Sequence, residues 1–155
     1  MSGRLLAVLL VAAAAATLAS AGAAGPIAKK QRVAITAKRG VYSFVLTPLR
    51  SGSVRRDSGY ASWGNPPDKT IVRDGQTIDI NEVNVALTGA RGTMTIHFHI
   101  EWVNAGGHYI AGTGTWKVLG GTGAYAHIAG GGRSAHAWLP RGPVSWRAEG
   151  FLSPK

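Results

Sequence analysis

The chain has no cysteine, and that absence removes several kinds of chemistry at once. Without thiols there is no disulfide staple, no thiolate nucleophile and no lipobox cysteine to carry an acyl anchor. Acidic residues are scarce too: seven Asp and Glu stand against 17 Lys and Arg, for a formal net charge of +10. Beyond the N-terminal segment no apolar run approaches the roughly 20 residues that a membrane helix needs. Nothing there carries the apolar spacing of a long helix either. The Gly-x-Ser-x-Gly nucleophile elbow is missing, since Arg50-Ser-Gly-Ser53 and Ala129-Gly-Gly-Gly-Arg-Ser134 do not meet it. Gly112-Thr-Gly-Thr115 and Gly120-Gly-Thr-Gly123 lack the lysine and following helix of a phosphate-binding loop. Basic residues are adjacent only at Lys29-Lys30, Lys38-Arg39 and Arg55-Arg56. With no basic helix and no zinc-finger spacing, no dedicated nucleic-acid module is expected.

The N-terminus has the layout of a secretory signal peptide. Arg4 supplies a positive charge, Leu5 to Leu18 an Ala/Leu/Val core, and Ala19-Ser20-Ala21 a small-residue cleavage site. Residues 1–21 are therefore assigned to the signal, with Ala23 and Ala24 as neighbouring cleavage points and no transmembrane segment left afterwards. The expected location is extracellular or cell-wall associated. There the excess positive charge fits an anionic cell-wall polymer or membrane surface, besides serving solubility.

The remainder reads as strands and turns. Residues 22–39 are a flexible arm or a weak first strand, and 40–155 form the β domain. Strands are expected at Val41–Thr47, Ser53–Trp63 and Lys69–Arg73, the last returning through Asp74-Gly75, a strong hairpin signal. Gln76–Ile80 follows, with a bulge at Asn81-Glu82 before Val83–Thr88. The longest alternation sets Met94, Ile96, Phe98, Ile100 and Trp102 against Thr93, Thr95, His97, His99, Glu101 and Val103. A strand ending near Leu119, a turn at Gly120-Gly121 and a run from Ala124 to Ala129 come next. After Gly130-Gly-Gly132, Arg133–Leu139 and Val144–Leu152 are the last two strands. From the residues alone, a closed barrel and a sandwich both accommodate this pattern.

The order Gly112-Thr-Gly-Thr-Trp-Lys-Val118, then Gly120-Gly-Thr-Gly-Ala-Tyr125, then a glycine-rich end resembles the allene oxide cyclase and dirigent-like β-barrel superfamily. Within it, the chain is similar to small secreted bacterial proteins of that barrel type, from about Gly40 to Leu152. The resemblance implies an all-β fold: a single antiparallel closed β-barrel of about eight strands, with a homotrimer permitted. It also implies an apolar interior in which polar groups position a small molecule. The cyclase catalytic residues and the dirigent pocket carboxylates have no residue-by-residue match here.

Candidate chemistry begins with His97, His99 and Glu101. Alternation puts them side by side on one strand face, where they could ligate a metal, act as an acid/base pair in a cavity, or simply meet solvent. His108, His127 and His136 are further imidazoles that the sequence cannot bring together. Glu149, beside Arg147, is the second carboxylate, either paired inside or exposed. Glu101, His99 and Glu149 are the catalytic candidates. His97, His99, Glu101, Trp116, Tyr125, Trp146 and Glu149 are the ligand-binding candidates; no metal or cofactor is assigned. Asp79, Asn81 and Glu82 form a polar knot that Asn84 could join. Five tryptophans can line a pocket for an apolar or aromatic molecule, or pack the core. Three functions compete: a secreted barrel binding such a molecule, a noncatalytic structural protein, and a cyclase- or dirigent-like enzyme. A cavity holding Glu101 or Glu149 favours binding or catalysis, whereas a filled barrel with both outside favours structural service.

Overall fold

The computed structural model describes residues 30–38, 43–64, 68–105, 108–138 and 144–155. The signal segment 1–21 and the turn at 140–143 lie outside them. Among the described residues nine strands follow one another: β1 (Gln31–Lys38), β2 (Ser43–Pro48), β3 (Asp57–Trp63), β4 (Asp68–Arg73), β5 (Gln76–Gly89), β6 (Gly92–Ala105), β7 (His108–Gly121), β8 (Ile128–Ala137) and β9 (Ser145–Pro154). All pair antiparallel, in the order β3-β2-β1-β9-β8-β7-β6-β5-β4.

One further pairing closes the sheet. The C-terminal half of β5 pairs with β3, from Gly59↔Gly89 to Trp63↔Val85, while its N-terminal half carries β4 on the same edge. The result is an eight-stranded closed antiparallel barrel with β4 appended to β5. Among the described residues, closure leaves the short β4 at an unpaired edge, which limits edge-to-edge association. The β4–β5 hairpin turns through Asp74 and Gly75, with φ of 53° and 76°, the left-handed pair that a two-residue turn requires.

Alternation along each strand fills the interior. Ile35, Phe44, Leu46, Val85, Leu87, Met94, Ile96, Phe98 and Leu152 are fully buried, and Ile100, Trp102 and Trp116 join them. Phe98 opposes Val83 on one side and Trp116 on the other, so the expected apolar face of β6 and β7 points inward. Among the described residues no helix is long and apolar enough to cross a membrane.

Four features differ from the sequence reading. The barrel starts at Gln31 and not at 40: of the two alternatives for 22–39, arm or first strand, residues 31–38 are the strand, paired to β2 and β9 with inward Val33, Ile35 and Ala37 buried despite the basic residues around them. β5 runs unbroken through Asn81-Glu82, and the register shifts sit instead in β6–β7, at Thr95/Ile96 and Val103/Asn104. β7 continues to Gly121, so the reversal is made by a short 3-10 helix at Gly123–Tyr125, with Gly123 at φ 56°. Finally, Gly130-Gly-Gly132 lies inside β8. There Gly132 faces Gly150 of β9, and a Cβ on either would sit against a carbonyl oxygen of the partner strand. The glycines serve close strand approach, not a turn.

Candidate functional site

The barrel has two unlike ends. At the first, side chains tie the connections down. Gln31 is buried and donates to the carbonyls of Arg50 (2.8 Å) and Val54 (3.0 Å), while its own carbonyl accepts from the Val54 amide (2.7 Å). Asp57, also buried, accepts from the Tyr125 hydroxyl (2.8 Å) and the Ser58 amide (2.9 Å). Burial and the adjoining Asp57 carboxylate push the Tyr125 phenol above its ordinary range, so it stays a donor.

At the second end the interior is aromatic. Phe98 stacks on Trp63 (centroids 6.4 Å apart), meets His136 edge-on (5.3 Å) and meets Trp146 at 4.9 Å. Trp63 and Trp146 pack edge to face at 5.7 Å, and Trp102 lies 5.7 Å from His136. These rings come from β3, β6, β8 and β9; Trp63, Trp102, His136 and Trp146 lie near the ends of their strands and Phe98 in the middle of β6. Beside them is a cleft of about 460 Å3 bordered by Lys38, Phe44, His136, Ser145, Trp146 and Arg147.

Hydrogen bonding separates this cluster from an ordinary core. The Trp102 indole donates to Asn81 Oδ1 (2.6 Å), and that of Trp116 donates to the Glu149 carbonyl (3.2 Å). Trp63 Nε1, Trp146 Nε1 and His136 Nδ1 are buried with no partner. His136 uses only Nε2, which lies 2.9 Å from Ser134 Oγ. Desolvation lowers the His136 pKa to about 4, so the ring is neutral at pH 7. Buried polar groups are nearly always satisfied, and each exception costs roughly 1–3 kcal/mol. Three exceptions fall in this one aromatic cluster: two indole donors and one imidazole nitrogen.

The candidates named from sequence divide between the two sides of the wall. Trp116, Tyr125 and Trp146 are interior, although Tyr125 is at the first end and Trp146 at the second. His97, His99, Glu101 and Glu149 project from the outer face, because their strand neighbours Phe98, Ile100, Trp102 and Ala148 take the inward positions. Outside, Glu82 bridges the two imidazoles, with Oε2 2.9 Å from His97 Nε2 and Oε1 2.5 Å from His99 Nδ1. Asn84 Oδ1 holds the other nitrogen of His97 at 2.8 Å. Glu101 takes both Arg73 nitrogens at 2.9 and 3.1 Å, and Glu149 pairs with Arg32 and Arg147. The Glu101 and Glu149 carboxyls sit below their usual pKa, each chiefly through a hydrogen bond from its arginine. Partial desolvation pushes Glu82 up, but the His99 and His97 contacts outweigh it and hold it low. These networks are satisfied within the chain. No group of three or more His, Asp or Glu among the described residues is arranged to hold a metal ion.

The polar knot splits by the same alternation. Asp79 and Asn81 are buried, Asp79 accepting from Thr70, whereas Glu82 and Asn84 point out to the histidines. Trp63 and His136 are the site residues that no local motif announced. His136 sits in Ser134-Ala-His-Ala137, where Ser134 and His136 face inward, and that alternation is the signal that could have placed it. No family model matches the chain, nor does any curated protein or solved structure, and the geometry of these residues alone carries the functional reading.

Proposed function

We propose that the protein is a secreted, noncatalytic member of the allene oxide cyclase and dirigent-like barrels that holds a small apolar or aromatic molecule at its aromatic end. The observation that carries this reading is the trio of buried, unpartnered Trp63 Nε1, Trp146 Nε1 and His136 Nδ1, of which Trp146 and His136 border the cleft. An apolar ring would pack against Phe98 and the indoles, and an oxygen on it would accept from the indole N–H groups. Neutral His136 keeps a full charge out of the apolar site. The filled waist of the barrel, with Glu101 and Glu149 outside it, argues against chemistry and by itself favours noncatalytic structural service, so the binding reading rests on the aromatic end alone. The cyclase- or dirigent-like enzyme has less support, since the interior carboxylates Asp57 and Asp79 are already engaged by Tyr125 and Thr70.

Titration with β-naphthol, followed by tryptophan fluorescence, tests the reading. Trp146→Phe keeps most of the ring but removes its donor, and should weaken binding by about 2- to 10-fold, the worth of one net hydrogen bond. His99→Ala, on the outer wall, should leave affinity unchanged. Equal effects of the two substitutions, or no saturable binding by the parent protein, would overturn it.

A further inference from the structure

The first end of the barrel carries a different surface. Two clefts open there, of about 270 and 320 Å3. The smaller is bordered by Arg55, Arg91 and His127, the larger by Arg50, Arg55 and Arg56, and both include Val54 and Arg55. They are therefore neighbouring stretches of one groove.

Charge is distributed unevenly over the molecule. On the barrel wall Arg32, Arg73 and Arg147 are ion-paired to Glu149 or Glu101, while Arg133, also exposed, has no carboxylate partner among the described residues and stands away from the groove. Among the described residues Arg50, Arg55, Arg56 and Arg91 are exposed and have no carboxylate partner for their guanidinium groups. Arg91 Nε donates to the Arg56 carbonyl, which fixes one fork at the groove and leaves its charge uncompensated. The nearby Asp57 is buried and bonded to Tyr125, so one inward carboxylate stands against four outward guanidinium groups.

We propose that this groove docks a linear phosphodiester polymer of polyol or sugar units, independently of the aromatic end. Guanidinium forks match phosphate oxygens, and four clustered arginines raise the local concentration of a polyanion. A tetrahedral phosphodiester presents its two anionic oxygens in different directions and can bridge forks from the two clefts at Arg55. A planar carboxylate is satisfied by a single fork. The groove lacks the exposed aromatic platforms on which nucleic-acid bases stack, since Tyr125 is buried with its hydroxyl engaged. Its concavity suits a chain better than a flat lipid surface.

The test is binding of poly(glycerol phosphate) to the full chain by calorimetry across a salt series. The double variant Arg50→Gln/Arg55→Gln should weaken binding at least about tenfold and flatten the slope of log affinity against log salt by about 1 per arginine removed. Only the backbone carbonyls of Arg50 and Val54 are used by Gln31, so the loop anchor survives these changes. Arg133→Gln, an exposed arginine on the wall, should change affinity less than twofold. The proposal fails if Arg133→Gln costs as much as the double variant. It fails equally if polyglutamate, a single-stranded oligonucleotide or anionic vesicles bind more tightly than the polyol phosphate, or if the polyol phosphate does not bind.

Discussion

Replacing His136 by Phe isolates one buried titration. The native ring has a pKa of about 4 against an ordinary 6.5, the shift arising from desolvation. A depressed native pKa means that the unfolded chain takes up the proton first. Stability from this group is complete above about pH 6.5 and is withdrawn as pH falls toward 4. At pH 4.5 the unfolded ring is almost fully protonated and the native ring mostly is not. With 1.36 kcal/mol per pKa unit, the loss between pH 7.5 and 4.5 is about 2.5 kcal/mol. Glu82, Glu101 and Glu149, held below their usual values, also withdraw stability in acid, but equally in parent and variant. Urea unfolding of both proteins at the two pH values therefore gives His136 by difference. The parent midpoint should fall by about 0.8–2.5 M more than that of His136→Phe, for a slope of about 1–3 kcal/mol per M. Parallel behaviour of the two proteins would refute the claim that the ring is buried neutral.

Other expectations follow from the same geometry. Gly132→Ala should unfold the protein or destabilise it by more than about 2 kcal/mol, because its Cβ meets the Glu149 carbonyl, whereas Gly120→Ala, with open space around it, should change the thermal midpoint little. Tyr125→Phe removes a hydrogen bond to the buried Asp57 carboxylate and should cost about 1.5–3 kcal/mol in urea unfolding. Mass spectrometry of culture medium should find a chain starting near Gly22; a cell-bound product retaining Met1 would contradict export.

The barrel was legible wherever a strand has one buried and one wet face. The alternation from Thr93 to Val103 placed Phe98 and Trp102 on one side and the histidines on the other, and Asp74-Gly75 marked its hairpin. What the sequence left open was the role of each glycine. Gly130-Gly-Gly132 resembles a turn in isolation, yet its role is contact with β9, residues 145–154, a partner that local sequence does not reveal. The site was less legible for a related reason. Trp63, His136 and Trp146 come from three strands: His136 and Trp146 meet through the β8–β9 register, and Trp63 reaches them through closure of the barrel. The His97-x-His99-x-Glu101 pattern drew attention because it is local, while its bridging partner Glu82 joins through the β5–β6 register, Glu82↔His99 and Asn84↔His97. Which face of β6 is interior depended on the strands packed across from it.

The central claim is that the unpartnered donors at the aromatic end receive a bound molecule. Nitrogen-15 labelled tryptophan gives one indole N–H resonance per side chain, so the donors can be followed one at a time by NMR during addition of β-naphthol. The Trp63 and Trp146 resonances should move and saturate together. Those of Trp102 and Trp116, already bonded to Asn81 and to the Glu149 carbonyl, should move far less. Stationary Trp63 and Trp146 resonances, or equal shifts in all four, would contradict the account.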